Sequence, residues 1–215
     1  VNDFVNPCGG KRWRTLPGGL IEVEGEGIPT VPRDSKSFTL MATTWGNWSS
    51  LLRSAASRHS VPLPWLLAIA TMETGFLSSN KEAQAHAVSP VGAFGIMQIM
   101  PATARGYGVT DPERLFDPGT NIETGARLVH ALDKPDRGGL PGISALYNSG
   151  RLCTQDPGRN EWMLLADANY PRRVIEWNNT ALESGMVLLF GPQTFAIFGA
   201  VVGLTIASIY VGARR

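Results

Sequence analysis

The sequence predicts a mainly α-helical protein in three parts, and three observations carry that expectation. Between Trp45 and Glu183 apolar residues recur at helical spacing, and nothing over 44–182 needs a sheet. Residues 1–43 are instead rich in Gly and Pro, with little helical periodicity. From Ser184 to Ala213 no Asp, Glu, Lys, Arg or His occurs, and Arg214 and Arg215 close the chain. The expected organisation is an irregular N-terminal arm (1–43), a helical domain (44–182) and a hydrophobic C-terminal segment (184–213). A length of 215 residues suits one domain with a real core plus extensions.

In the arm, Ile21 and Val23 alternate with Glu22, Glu24 and Glu26, the period-2 pattern of a short strand; SFTLM (37–41) suggests another. Two short strands make no core alone, so the arm is either a flexible leader or a segment ordered by docking on something else. Its opening residues, VNDFVNPCGGKRWRTLPGG, lack the charged start and apolar run of a secretory leader. TTWGNWSSLLRSAASRHS then offers Thr43 and Thr44 as helix caps, with Trp45, Trp48, Leu52 and Ala55/Ala56 on one face. VPLPWLLAIATMET follows, its Pro62 and Pro64 at a helix start, where proline is tolerated. SPVGAFGIMQIMPATARGYG is Gly-interrupted, with a short helix opening at Pro101. DPGTNIETGARLVHALDK, GISALYNSG and PRRVIEWNNTALE supply the remaining helices. The 184–213 run would extend about 45 Å as a helix against a hydrocarbon core of about 30 Å. Pro192–Gln193 interrupts it, leaving TFAIFGAVVGLTIASIYVGA as an expected transmembrane helix, with a GxxxG at Gly199 and Gly203. The terminal arginines place its end on the cytoplasmic side.

Composition excludes several classes of function. An apolar content of 43% rules out a wholly disordered chain, and a formal net charge of +1 with no basic run gives no footprint for nucleic acid. His59, His86 and His130 are scattered, without metal-ligand spacing, so neither metal nor cofactor is expected. Cys8 and Cys153 are able to pair, but the sequence does not place them side by side.

Three polar clusters interrupt otherwise apolar stretches. LLAIATMETGFLSSN (66–80) ends an apolar run on one carboxylate, Glu73, followed by Thr74. Gln98 lies between two Met-containing runs in GIMQIM, and ALYNSG (145–150) carries Tyr147 and Asn148. A carboxyl held against apolar neighbours is costly unless it is paired or protonated. Singly, each cluster has an ordinary explanation: an exposed Glu, a helix cap, a core tyrosine, a turn asparagine.

Their order is more telling. Over roughly residues 60–180 the chain resembles the lytic transglycosylase domain of the soluble-lytic-transglycosylase type. The family's catalytic Glu-Ser step corresponds to Glu73–Thr74, and its S-x-x-G-A-x-G-L-M-Q segment to Ser89–Gln98, continuing into Pro101-Ala102-Thr103-Ala104. Its acidic-Pro-x-x-Asn-Ile-x-x-Gly helix start is similar to Asp117–Gly125, its A-Y-N-A-G to Leu146–Gly150, and its closing Tyr-Val pair to Tyr170 and Val174. Thr for Ser at 74 keeps the hydroxyl and adds a methyl, Ile96 replaces Leu, and LSSNKEAQAHAV (77–88) is longer than usual, which would alter one lip of the cleft.

The resemblance implies a lysozyme-like fold and cleavage of the MurNAc–GlcNAc bond of peptidoglycan with formation of 1,6-anhydro-MurNAc ends. It implies Glu73 as the catalytic acid/base, raised in pKa by desolvation. Tyr147 would hydrogen-bond or orient Glu73, and Thr74, Met97, Gln98 and Asn148 would line the sugar cleft, with Tyr170 also at the substrate. A hydrolytic lysozyme would need a second carboxylate, for which Asp117 and Glu123 are the nearest acids in sequence of the type the family conserves. A non-catalytic wall-binding role would predict an eroded site. The substrate lies outside the bacterial cytoplasm, so delivery by a phage particle during genome entry is expected, the arm (1–43) holding other virion proteins and the C-terminal helix entering the host membrane. An enzyme of a conjugation or secretion apparatus is the alternative.

Overall fold

The computed structural model describes residues 3–77, 80–154, 165–167 and 169–187. A two-stranded antiparallel hairpin, β1 (Trp13–Thr15) and β2 (Ile21–Val23), precedes α1 (Lys36–His59), α2 (Leu63–Thr74), α3 (Lys81–Ala85), α4 (Pro101–Arg105), α5 (Pro118–Leu132), α6 (Leu140–Ser149) and α7 (Asn169–Glu183). The expected mainly helical fold is observed.

α2 is the centre of the molecule because its sequence leaves no polar face: Leu66, Leu67, Ala68, Ile69, Ala70 and Thr71 are all buried. α1 covers one side of it and α7 another, and α6 packs on α7. α1 starts earlier than the sequence suggests. Ser35 caps it, its Oγ accepting the Phe38 N–H at 3.1 Å, and the buried series Met41, Thr44, Trp48, Leu52, Ala55 continues back past Thr43. Neither the strand expected at SFTLM nor the caps expected at Thr43 and Thr44 form. A capped, 3.6-periodic buried face outweighs the local strand tendency of Phe38, Thr39 and Leu40.

The N-terminal residues are likewise no free arm. In the hairpin, Trp13 pairs with Val23 and Thr15 with Ile21, and Trp13, Ile21 and Val23 are buried in the common core. The acidic alternation beside them answers the basic KRWR stretch: Arg14 pairs with Glu22, Arg12 with Glu24 and Lys11 with Glu26. What the segment docks on is the chain's own helical body, and a Cys8–Cys153 disulfide, Cα–Cα 5.5 Å, ties it there. Among the described residues no helix is long and apolar enough to cross a membrane. The predicted span lies, from residue 188 on, outside the described residues.

Candidate active site

The last turn of α2 delivers Glu73 and Thr74 to a surface framed by three other segments. The first is a looped lip, residues 87–100, built from the bridges Val88–Phe94 and Phe94–Ile99. Thr74 Oγ1 donates to the Ile96 carbonyl at 2.9 Å, so the hydroxyl fastens the end of α2 to the lip.

α5 supplies the second fastening. Asn121 occupies a core position of this helix and is fully buried, a placement that requires partners for its whole amide. Its Oδ1 accepts the Met97 N–H at 2.8 Å, and its Nδ2 donates to the Phe94 and Leu115 carbonyls at 2.8 and 2.9 Å. One turn on, Gly125 leaves room for Met97, whose sulfur occupies the place a Cβ would take. The Asn-Ile-x-x-Gly pattern thus has a physical meaning: Asn121 holds the lip backbone and Gly125 receives its Met side chain. Gly95 adopts φ 70°, open only to glycine without strain, and a Cβ there would strike the Asn121 amide.

α6 and α7 complete the frame. Tyr147 Oη donates to the Met97 carbonyl at 2.7 Å, while Tyr170 Oη donates to Glu73 Oε1 at 2.6 Å. The phenol that holds the carboxyl is therefore Tyr170 and not, as the sequence suggests, Tyr147. Burial and the neighbouring Glu73 push both phenols well above their ordinary pKa, so both remain donors. Burial raises the Glu73 carboxyl to about 7, against the opposing pull of the Tyr170 hydrogen bond. Proton exchange near neutral pH is within its reach.

The other expected site residues divide by exposure. Thr74 and Met97 are fully buried, so neither lines an open surface as the sequence suggests. Gln98 is half-buried, at φ 47°, its amide donating to the Gly95 carbonyl at 2.8 Å and the Ala87 carbonyl at 3.3 Å. Asn148 is exposed, with Nδ2 donating to Asp167 Oδ2 at 3.0 Å, a link between α6 and the turn before α7. Tyr170 is 4% exposed and faces the carboxyl.

The role of one buried amide and the presence of another escape a reading of sequence alone. Asn121 is marked by the Asn-Ile-x-x-Gly motif, but not as the residue that holds the lip backbone. Gln84 lies in the 77–88 segment, where no family motif marks it. This Gln is fully buried: Oε1 accepts from Trp48 Nε1 at 2.8 Å and Asn47 Nδ2 at 2.9 Å, and Nε2 donates to the Thr74 carbonyl at 3.1 Å. Gln84 therefore pins the end of α2 from behind.

Neither Asp117 nor Glu123 stands beside Glu73 as a partner. Asp117 caps α5 through Thr120 N–H at 2.8 Å and faces a separate groove of about 530 Å³ with Trp48, Lys81, His86 and Phe116. Glu123 is engaged by Arg58 at 2.9 Å and His59 at 2.5 Å, both on α1.

A helical body with one proton-active carboxyl at the end of its central helix, framed by a Gly-rich lip and two tyrosines, defines the class of this protein. Residues 50–166 match the transglycosylase SLT domain, and the chain belongs to that family. It is 32% identical over 119 residues to the soluble lytic murein transglycosylase of Escherichia coli strain K12, which covers 52% of this chain and 16% of that protein. To a transglycosylase of Enterobacteria phage PRD1 it is 34% identical over 82 residues, 38% of this chain and 27% of the phage protein. The chain thus spans only a minor part, 16% and 27%, of the length of these relatives. The solved 70 kDa soluble lytic transglycosylase of Escherichia coli shares the fold, with a TM-score of 0.51, 20% identity and coverage of 74% of this chain and 31% of that one.

Proposed function

We propose that this protein is a peptidoglycan lytic transglycosylase that cleaves the MurNAc–GlcNAc bond with Glu73 as its single acid/base. The observation that carries the reading is the Glu73 carboxyl itself, desolvated to a pKa of about 7 and held by Tyr170. Protonated Glu73 gives its proton to the glycosidic oxygen as the C1–O bond breaks, and the departing GlcNAc leaves as the alcohol. The substrate's own N-acetyl group stabilises the developing cation at C1. Glu73, now a carboxylate, takes the proton of the MurNAc C6 hydroxyl as that oxygen bonds C1. The carboxyl is restored, the product ring closes to the 1,6-anhydro form, and no water is consumed. A pKa near neutrality suits a group that must be both acid and base.

In this reading Tyr170 fixes which Glu73 oxygen faces the sugar, and Tyr147 supports the site by holding the Met97 carbonyl. Gln98 and Asn148 contact the glycan, and Thr74 and Met97 set the floor. A hydrolytic reaction would need a second carboxylate to activate water. The engagement of Asp117 and Glu123 elsewhere speaks for the anhydro route.

Composition and one relative support a place of action as well. The likeness to a transglycosylase of a phage supports a virion-associated enzyme that opens the host wall during genome entry. The charge-free run 184–213 would anchor its C-terminus in the host membrane. Mass spectrometry of products from purified peptidoglycan tests the chemistry, comparing the full chain with Glu73→Gln. Anhydro-muramyl ends that disappear in the variant are expected; reducing ends would overturn the reading in favour of hydrolysis.

A further inference from the structure

Residues 178–180 present an unusual demand. Asn178, Asn179 and Thr180 are consecutive on α7 and all buried, a costly arrangement unless partners are supplied. The backbone of residues 19–31 supplies a partner to each of the three side chains, while Asn178 Oδ1 is left without one among the described residues. Asn179 behaves like a strand edge, its Oδ1 accepting the Ile21 N–H and its Nδ2 donating to the Ile21 carbonyl, both at 2.8 Å, and to the Pro29 carbonyl at 3.0 Å. Asn178 Nδ2 donates to the Gly19 carbonyl at 3.1 Å, and Thr180 Oγ1 accepts the Val31 N–H at 2.9 Å. Trp13 Nε1 reaches the Gly138 carbonyl, just ahead of α6, at 2.6 Å. The N-terminal strap therefore grips α7 and the approach to α6, the two helices that carry Tyr170 and Tyr147.

The disulfide adds a covalent route to the same place. Cys153 bridges antiparallel to Leu165, and the Ala166 N–H donates to the Leu152 carbonyl at 3.0 Å. Next in the chain, Asp167 accepts Asn148 through its side chain and the Tyr170 N–H through its carbonyl at 3.1 Å. Tyr170 then holds Glu73. An unbroken series of contacts runs from Cys8 to the reacting carboxyl. Cys8 and the rest of the strap lie outside the residues matched to the family, 50–166.

We propose that the strap, residues 3–34, locked by the Cys8–Cys153 disulfide, is a positioning element for the Tyr170–Glu73 pair, so that full turnover requires the oxidised protein. Reduction releases Cys153, and with it the Cys153–Leu165 bridge, from the strap, and the phenol loses its fixed place at the carboxyl. The turnover consequence rests on the transglycosylase reading above. The positioning consequence does not.

The test compares the oxidised full chain, the same protein reduced with dithiothreitol, and Cys8→Ser, on soluble uncrosslinked glycan strands. On reduction and in Cys8→Ser, kcat is expected to fall about 10- to 100-fold, as for a small misplacement of a catalytic group, with KM within about twofold and the far-UV circular dichroism retained. The titratable groups about Glu73 are Tyr170 on α7, Tyr147 on α6 and Asp167 before α7. Because the Tyr170 hydrogen bond lowers the Glu73 pKa, its loss moves the descending limb of the pH profile to higher pH. A carbon-13 titration of the Glu73 carboxyl reads the same shift without turnover. Unchanged kcat and titration with only a lowered Tm would overturn the proposal, leaving a structural staple. Loss of the helical signal on reduction would overturn it as well. If the oxidised protein forms no anhydro ends, the functional reading fails, and the carboxyl titration still decides this one.

Discussion

Replacing Glu73 by Gln is expected to stabilise the protein at neutral and alkaline pH, although it removes the proposed acid/base. The carboxyl binds its proton more tightly in the folded protein, at about 7, than at the ordinary value of 4.5 taken for the unfolded chain. Its contribution to stability is therefore fully present below pH 4.5, declines as pH rises, and is lost through pH 7. Above pH 7 the folded protein carries an ionised carboxylate against apolar neighbours. With about 1.4 kcal/mol for each tenfold change in proton affinity, the span from 4.5 to about 7 corresponds to about 3 kcal/mol. Glutamine has the same shape and never ionises, so it escapes that cost. For a chain of this size about 3 kcal/mol raises Tm by roughly 6–12 °C. Scanning calorimetry of both proteins from pH 4 to pH 9 measures it. The two Tm curves should converge below pH 4.5 and separate progressively to pH 8. Parallel curves across pH 5–8 would refute the desolvated carboxyl, and with it the physical basis of the catalytic assignment.

Other substitutions probe the frame around that carboxyl. Tyr170→Phe removes the hydrogen bond that favours the ionised form, so the descending limb of activity should move to higher pH and kcat/KM at pH 6 should fall by about 10-fold, the effect of one charge-assisted hydrogen bond; an unmoved limb would show that Tyr170 does not act on Glu73. Gln84→Leu strands the Trp48 and Asn47 donors and the Thr74 carbonyl, and urea unfolding should register a loss of about 3 kcal/mol. A loss under about 1 kcal/mol would mean that water replaces the amide. Gly125→Ala forces a methyl against the Met97 sulfur and should cost about 1–3 kcal/mol, recovered in part by Met97→Val. No recovery would place the strain elsewhere.

How far each feature was legible follows from the range of the interaction that fixes it. The burial of α2 is written in twelve consecutive residues, LPWLLAIATMET, and the strained position of Glu73 at its end follows from them directly. The identity of the tyrosine at the carboxyl is not local. Tyr147 and Tyr170 are equally plausible phenols on separate helices, and the packing of α7 on α2 and of α6 on α7 gives one to the Met97 carbonyl and the other to Glu73. The same holds for Met97, whose apolar side chain in a motif reads equally as cleft or core until Gly125 is placed beside it. Cys8 and Cys153, 145 residues apart, carry no local sign of meeting. SFTLM failed for the opposite reason: its own residues suggest a strand, and the signals that override them, Ser35 and the buried Met41–Thr44–Trp48 face, extend beyond that window.

The same distinction explains why the family motifs are informative without being a list of substrate contacts. Of their members, Asn121, Gly125, Met97 and Thr74 touch one another and the lip backbone, and their side chains are directed away from solvent. They act together as one internal brace that sets the position of the lip relative to the end of α2. Glu73 takes part in that brace only through Thr74, its neighbour, and through Tyr170. A single carboxyl can serve as both acid and base only if neither its depth nor its direction changes between the two proton transfers. Fixing Thr74 to Ile96 from the front and its carbonyl to Gln84 from behind restricts depth, and the Tyr170 hydrogen bond restricts direction. The proposed chemistry needs one ionisable side chain, and in that reading most of the motif serves to hold it still.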